Sequence, residues 1–336
     1  MKLKSPIAKA VILASITLSG NAFADAIIFN TGVESTATVA LGVKDYGQLN
    51  TSLGNIADNA DATGLAAKFS DGTWQDATSP GCLCEGWGVA ANDLGASANV
   101  ASGGVTGLSL TSFSSTGSTA TSVVTMTSLP GLEVTHAFQT SASADLFEAV
   151  VTIKNTTGAT ATDVRYTRAM DWDIPTDEFN EYVTIQGTAT TSTLLYSSDD
   201  GFASTNPFAS RSDLNGCGVT TDFVDCGPDD HGAIFDFGFG DLADGEELTF
   251  SIFYGAADSE LDALDALSLV GPELFSLGQE SGDPVGGTPK TYIFAFSGVG
   301  GSVIIPPKDV PEPSVIALIG LGLAGMGAVS RRRRKA

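Results

Sequence analysis

The chain reads as an all-β protein, an antiparallel β-sandwich built as one large unit or two adjoining ones. Three observations predict this. From Val105 onward, apolar residues alternate with Ser, Thr and charged residues in short runs separated by turn residues. Hydrophobic residues make up 43% of the sequence, enough for a core despite the acidity, so composition does not indicate disorder. Helical spacing occurs convincingly in one place, residues 258–269. There Leu261, Leu264, Ala266, Leu267 and Leu269 are spaced to pack on a sheet, and Asp258 suits the N-terminus.

Taken in order, residues 26–29 and 36–43 read as short strands. Residues 50–68, rich in Ala, Asn, Asp and Gly, show no period and read as loop. Trp74, Cys82, Cys84 and Trp87 crowd the next segment. Its tryptophans, with Trp172 further on, form either an aromatic platform for a sugar face or part of a stapled loop packed on the sheet. Leu108, Leu110 and Phe113, then Val123, Val124 and Met126, mark two strands in a Ser/Thr-rich stretch. Leu132, Val134 and His136 follow; His136 reads as a hydrogen-bonded structural residue. Residues 147–153 and the pair Val164 and Tyr166 read as a hairpin turning at Asn155-Thr156-Thr157-Gly158. This stretch resembles hairpins of bacterial immunoglobulin-like extracellular sandwiches and of the larger aldose-mutarotase-like sandwich, which implies a β-sandwich and little more.

The most chemically loaded stretch runs from Arg168 to Glu181, with Asp171, Asp173, Asp177, Glu178 and Glu181, Asn180 and Trp172 around Pro175. Hard oxygen donors at this density suit calcium, which takes six to eight oxygens. Asp171, Asp173, Asp177 and Glu178 are the candidate ligands, although the spacing is not that of an EF-hand. On an extended strand Asp171 and Asp173 share a face, so a pair acting on a glycosidic bond is an alternative, as is a solvated turn. Residues 182–185 and 193–196 continue the β pattern. A second acidic loop, residues 215–231, is the lesser of the two calcium candidates; it holds Asp222, Asp225, Asp229 and Asp230 beside Cys217 and Cys226, with His231 as a metal ligand or a hydrogen-bonded residue. Residues 234–239 and 248–254 read as a hairpin around residues 241–246, and residues 291–296 as a last core strand.

No fingerprint of a nucleotide site, a zinc protease or a serine nucleophile occurs, and His136 and His231 carry no motif. A non-catalytic protein is the primary expectation. The four cysteines allow three disulfide pairings; Cys217 with Cys226, and then Cys82 with Cys84, is the favoured set, with links between the two regions open. Zinc is disfavoured because no CxxC pair occurs and only two histidines are present.

Both ends read as processing signals. Lys2, Lys4 and Lys9 precede a short apolar segment, 10–18, and Ala22-Phe23-Ala24 is a small-x-small site. Signal peptidase is therefore expected to cut between Ala24 and Asp25, making residues 1–24 a signal peptide and 25–308 the secreted body. At the other end Pro311-Glu312-Pro313 precedes an uncharged segment, 314–330, and the basic tail 331–335. The segment is near the lower limit for a helix crossing a bilayer core of about 30 Å. The basic cluster would hold its end on the cytoplasmic side.

This tripartite arrangement, residues 309–336, resembles the PEP-CTERM tail of Gram-negative bacteria. The resemblance implies cutting by an exosortase, a membrane transpeptidase, and delivery to the cell surface or to an exopolysaccharide matrix, with the C-terminal helix holding the chain in the inner membrane beforehand. It implies a route, not an activity. Between Asp25 and Pro313 eight basic residues stand against 39 acidic ones. Such a body is not expected to bind nucleic acid or anionic lipid through its net field. It attracts cations.

Overall fold

The computed structural model describes residues 25–98, 104–280 and 290–304. The expected signal peptide and membrane segment, the Pro311-Glu312-Pro313 motif and the basic tail lie outside the described residues. Strands β1 (Ala26–Phe29), β2 (Val39–Val43), β3 (Leu65–Lys68) and β4 (Trp74–Asp76) form a four-stranded sheet in sequence order. Next come β5 (Glu85–Ala91), β6 (Leu94–Ala98) and β7 (Val105–Thr106), which make half of a six-stranded sheet. A meander of β8 (Leu108–Ser115), β9 (Ala120–Met126), β10 (Leu132–Thr140) and β11 (Leu146–Asn155) then forms one side of a nine-stranded sheet.

From there the chain alternates between the two large sheets. It visits the six-stranded sheet with β12 (Ala161–Asp171), β14 (Leu194–Ser198) and β16 (Gly232–Leu242). It returns to the nine-stranded sheet with β13 (Glu181–Gln186), β15 (Phe223–Asp229) and β17 (Glu247–Ala257). Helix α1 (Glu260–Ser268) precedes β18 (Leu274–Gln279) and β19 (Thr291–Ser297), which fill the nine-stranded sheet between β13 and β17. The described strand pairings are antiparallel. Among the described residues no helix is long and apolar enough to cross a membrane.

Both expected hairpins are corrected by this path. β11 pairs with β10 and β17, whereas β12 pairs with β5 and β16. The turn at Asn155 is therefore a crossing between sheets, and so is residues 241–246. Local alternation identifies a strand but cannot say which sheet it joins. Asn155 holds the two crossings together. It is fully buried; its Nδ2 donates to the carbonyls of Ala159 and Leu242, both at 2.8 Å, and its Oδ1 accepts from the Thr157 amide. Its own amide donates to Glu246 and its carbonyl accepts from Gly245.

Aromatic rings fill the space between the two large sheets. Trp87 lies 4.4 Å from His136 and stacks on Tyr166, while Phe250 meets the Tyr166 ring edge-on at 5.0 Å. Phe235 and Phe237 meet Phe294 and Phe296 in the same layer. A buried ion pair, Arg168 Nε to Glu85 Oε1 at 2.5 Å, sits beside them, and His136 Nε2 is 2.9 Å from the Tyr166 hydroxyl. Burial and the neighbouring Arg168 hold His136 well below the usual imidazole range, so it is a neutral core residue.

All three tryptophans are buried: Trp74 at 4% exposure, Trp87 and Trp172 at 0%. An indole with no open face has nothing to stack on a sugar, so the aromatic platform gives way to packing. The end of the segment read as a stapled loop, from Glu85 to Gly88, instead belongs to β5, a strand buried along its whole length. Its small residues show no alternation because both faces are covered. Gly88 is required there, since a Cβ would overlap the Thr205 carbonyl. Residues 65–68 are likewise a strand rather than loop.

Helix α1 begins after Ser259, whose hydroxyl caps it by accepting from the Asp262 amide at 3.2 Å. Ala263, Ala266 and Leu267 face the outer surface of the nine-stranded sheet against Phe253, Ile293 and Ala295. Leu261 and Leu269, expected to pack there, are exposed.

Replacing Asn155 with Ala removes three side-chain hydrogen bonds and strands buried carbonyls at the joint. We expect a loss of about 3 kcal/mol in urea-melt stability with the fold retained.

Candidate functional site

At the opposite end of β12 and β16 from Asn155, three sheet crossings meet. The first, β12 to β13, carries Asp171, Asp173 and Glu181. The second, β14 to β15, carries Asp199 and Asp200, and the third, β15 to β16, carries Asp230 and His231. The extended backbone sets the side chains alternately. The amide of Asp171 donates to the Cys84 carbonyl at 2.9 Å and that of Asp173 to Ala77 at 2.8 Å. Trp172 between them points the other way, onto Gly278, with its Nε1 donating to Ser276 Oγ. Asp171 and Asp173 therefore reach the same side, as their spacing predicts.

One carboxylate oxygen from each of Asp171, Asp173 and Asp230 lies within 4.8 Å of the others. Glu181 adjoins them, with Oε1 accepting the His231 amide at 2.6 Å. Asp171, Asp173 and Glu181 are at most 1% exposed. Their hydrogen bonding is incomplete: Asp171 Oδ1, both Asp173 oxygens, Glu181 Oε2 and Asp230 Oδ1 are buried without a partner. No Lys or Arg forms an ion pair with these four among the described residues.

Burial is the main cause that raises these carboxyls, and their neighbours add to it. Asp173 is pushed up to about 9, with Glu181 and Asp230 contributing. Glu181 is pushed to about 8, and Asp171 well above the usual carboxylate range, with Asp173 and Asp230 contributing. Asp199 goes the other way. Burial, the largest single influence, would raise it, but the 3.0 Å bond from His231 Nδ1, the charge of that ring and the Asn215 amide together outweigh burial and lower it. His231 is thus committed to Asp199, and its place beside the cluster is structural.

Two expected ligands stand apart from the three convergent aspartates. Asp177 is exposed and accepts from Asn180 at 3.3 Å. Glu178 accepts from Asn59 at 3.1 Å, although its charge is felt at Asp173. Asp230 takes their place, drawn from the second acidic loop, so the two acidic loops make one site. The chain places Cys82 beside Cys84, and Cys217 beside Cys226, at disulfide distance, with Cα separations of 5.2 and 5.8 Å. Sulfur bonded in this way offers no thiolate to a metal. What remains is an all-oxygen donor set, suited to a hard cation. Among the described residues, neither the groove beside α1 nor the smaller one around Pro80 is lined by Asp171 or Asp173.

Comparison with known proteins adds one match. A family model described as the PEP-CTERM protein-sorting motif matches residues 309–334. That motif implies an exported protein, processed by an exosortase-type system and held at its C-terminus in the membrane beforehand. No curated protein and no solved structure matches the chain.

The raised carboxyls set the sign of a pH dependence. Asp173 and Glu181 hold protons in the folded chain up to about pH 9 and 8, but in the unfolded chain only to about pH 4. Without a cation their contribution is fully present below about pH 4 and is lost as pH rises through 8 and 9. Thermal melts in EGTA should therefore fall steadily over that window, and saturating calcium should flatten the profile.

Proposed function

We propose that this is a non-catalytic structural or adhesive component of the cell surface or extracellular matrix, exported and sorted through its tail and stiffened by calcium. The observation that carries the cation is the convergence of Asp171, Asp173, Asp230 and Glu181, with buried oxygens that no protein donor satisfies. An isolated buried carboxylate is costly unless it is paired, protonated or bound to a metal. Calcium accepts irregular, carboxylate-rich coordination, whereas magnesium demands near-ideal octahedral geometry. Burial of the donors favours a cation that holds the fold over one that presents coordination sites to a ligand. The route supports the setting: a sorting tail of this type accompanies surface and exopolysaccharide or biofilm assembly, where extracellular polysaccharide is the expected partner.

One observation favours a second reading, a carbohydrate-binding protein. A groove of about 1070 Å³ runs between α1 and the β3–β4 turn, lined in part by Phe69, Asp145, Asp258, Asp262 and Lys290. Retention on matrix polysaccharides, abolished by substitutions at Phe69 and Asp145 but not at Asp173, would favour it.

The cation reading is tested by thermal unfolding of the purified exported protein with calcium and with EGTA. Saturating calcium, about 100-fold above its Kd, should raise Tm by roughly 5–10 °C. A variant carrying Asp171→Asn and Asp173→Asn should melt at the same temperature in both conditions. An unchanged Tm in the parent protein would remove calcium from the proposal and leave the sorting route standing.

A further inference from the structure

Both chain connections that bring carboxylates to the cluster pass from one large sheet to the other. Asp171 and Asp173 end the path out of the six-stranded sheet, and Glu181 opens the path into the nine-stranded one. Asp230 lies on the return from β15 to β16. A cation held by these residues therefore bridges the two crossings. Three of the carboxylates are at most 1% exposed and carry buried oxygens without a partner, and oxygens of Asp171, Asp173 and Asp230 lie within 4.8 Å of one another, so the cluster is more than a group of surface acids.

The element least able to hold itself beside the cluster is β15. It is the outer strand of the nine-stranded sheet, and its residues are partly or fully exposed. Its pairing with β13 slips twice, between Glu181 and Val183 and between Val183 and Ile185. Asp225 and Gly227 interrupt it with left-handed backbone, φ 49° and 151°. The loop before it is closed on the strand itself by Cys217–Cys226, and Leu214, Val219 and Val224 are exposed. Strand and loop thus make a disulfide-closed flap. One end is fastened by Asp222, which accepts from the Gly187 and Thr188 amides. At the other end stands Asp230.

Resting on the calcium reading, we infer that the cation is the latch of this flap: calcium at Asp171, Asp173, Glu181 and Asp230 holds β15 on β13, and its removal releases residues 217–230 while the rest of the sandwich stays closed. With the cation gone, nothing draws Asp230 to the carboxyls across from it, and the strand it follows slips twice in its register on β13, so little regular pairing holds it there. The consequence is compartmental. Calcium is scarce inside cells and plentiful outside, so the flap locks after export.

Hydrogen–deuterium exchange of the exported protein, with calcium and then with excess EGTA, tests the latch, and terbium luminescence titrated with calcium measures binding separately. The expected result is an increase of roughly tenfold or more in exchange across 217–230 in EGTA, with β10 and β11 unchanged. Asp230→Asn, the least buried of the four changes, should show fast exchange in that segment even with calcium present. Calcium binding with no change at 217–230, or with equal loosening throughout the sandwich, would overturn the latch and leave the calcium reading intact. Absence of calcium binding would overturn both.

Discussion

The face-to-face packing of the six- and nine-stranded sheets governs the rest of the molecule. Trp87, Tyr166, Phe235 and Phe237 come from one sheet, and His136, Phe250, Phe294 and Phe296 from the other. Because the chain alternates between these sheets from β11 to β17, each crossing must turn at one end of the sandwich. Polar groups are drawn there, where backbone leaves the ladders and needs partners. One end is satisfied by a neutral amide, Asn155. The other gathers carboxylates.

That contrast explains why an acidic protein concentrates a few of its charges where they are most costly. Many of its 39 acidic residues, among them Asp93, Asp177 and Glu247, are exposed to solvent. Asp171, Asp173 and Glu181 are buried together instead, and the nearest buried cation, Arg168, is already committed to Glu85. Like charges in a low-dielectric site cannot all ionise without a counter-charge. The hard cation proposed above would provide one without adding bulk to the junction.

Much of the fold was legible locally. The alternating runs around Val124, Val134, Val151 and Phe250 have one covered face, and the period of two reports it. Glu85–Ala91 escaped because a strand covered on both sides loses that period, and its glycines and alanines mimic a loop. The hairpin errors have a different origin: Asn155-Thr156-Thr157-Gly158 is a good turn sequence, but a turn residue cannot report whether the next strand pairs with the last. In the site, Asp171 and Asp173 were readable from their spacing of two. Asp230 stood in a second candidate loop, but that it joins them was not readable, because its approach depends on β16 pairing with β12, which places Gly232 opposite Asp171. The tryptophans looked like surface candidates only because burial has no signature at a single residue.

The order in which the strands are made differs from the order in which they lie. β17, β18 and β19, the last to leave the ribosome, occupy the middle of the nine-stranded sheet, and β11 finds its neighbour in β17, with Val151 opposite Phe250. Pairings this distant along the chain are slow to form, because the intervening segment must be ordered before any contact rewards it. The first half of the polypeptide therefore lacks the centre of its own largest sheet until the final third is present. A chain threaded across a membrane from its N-terminus stays open for nearly its whole passage, and closes only when the far side holds all of it.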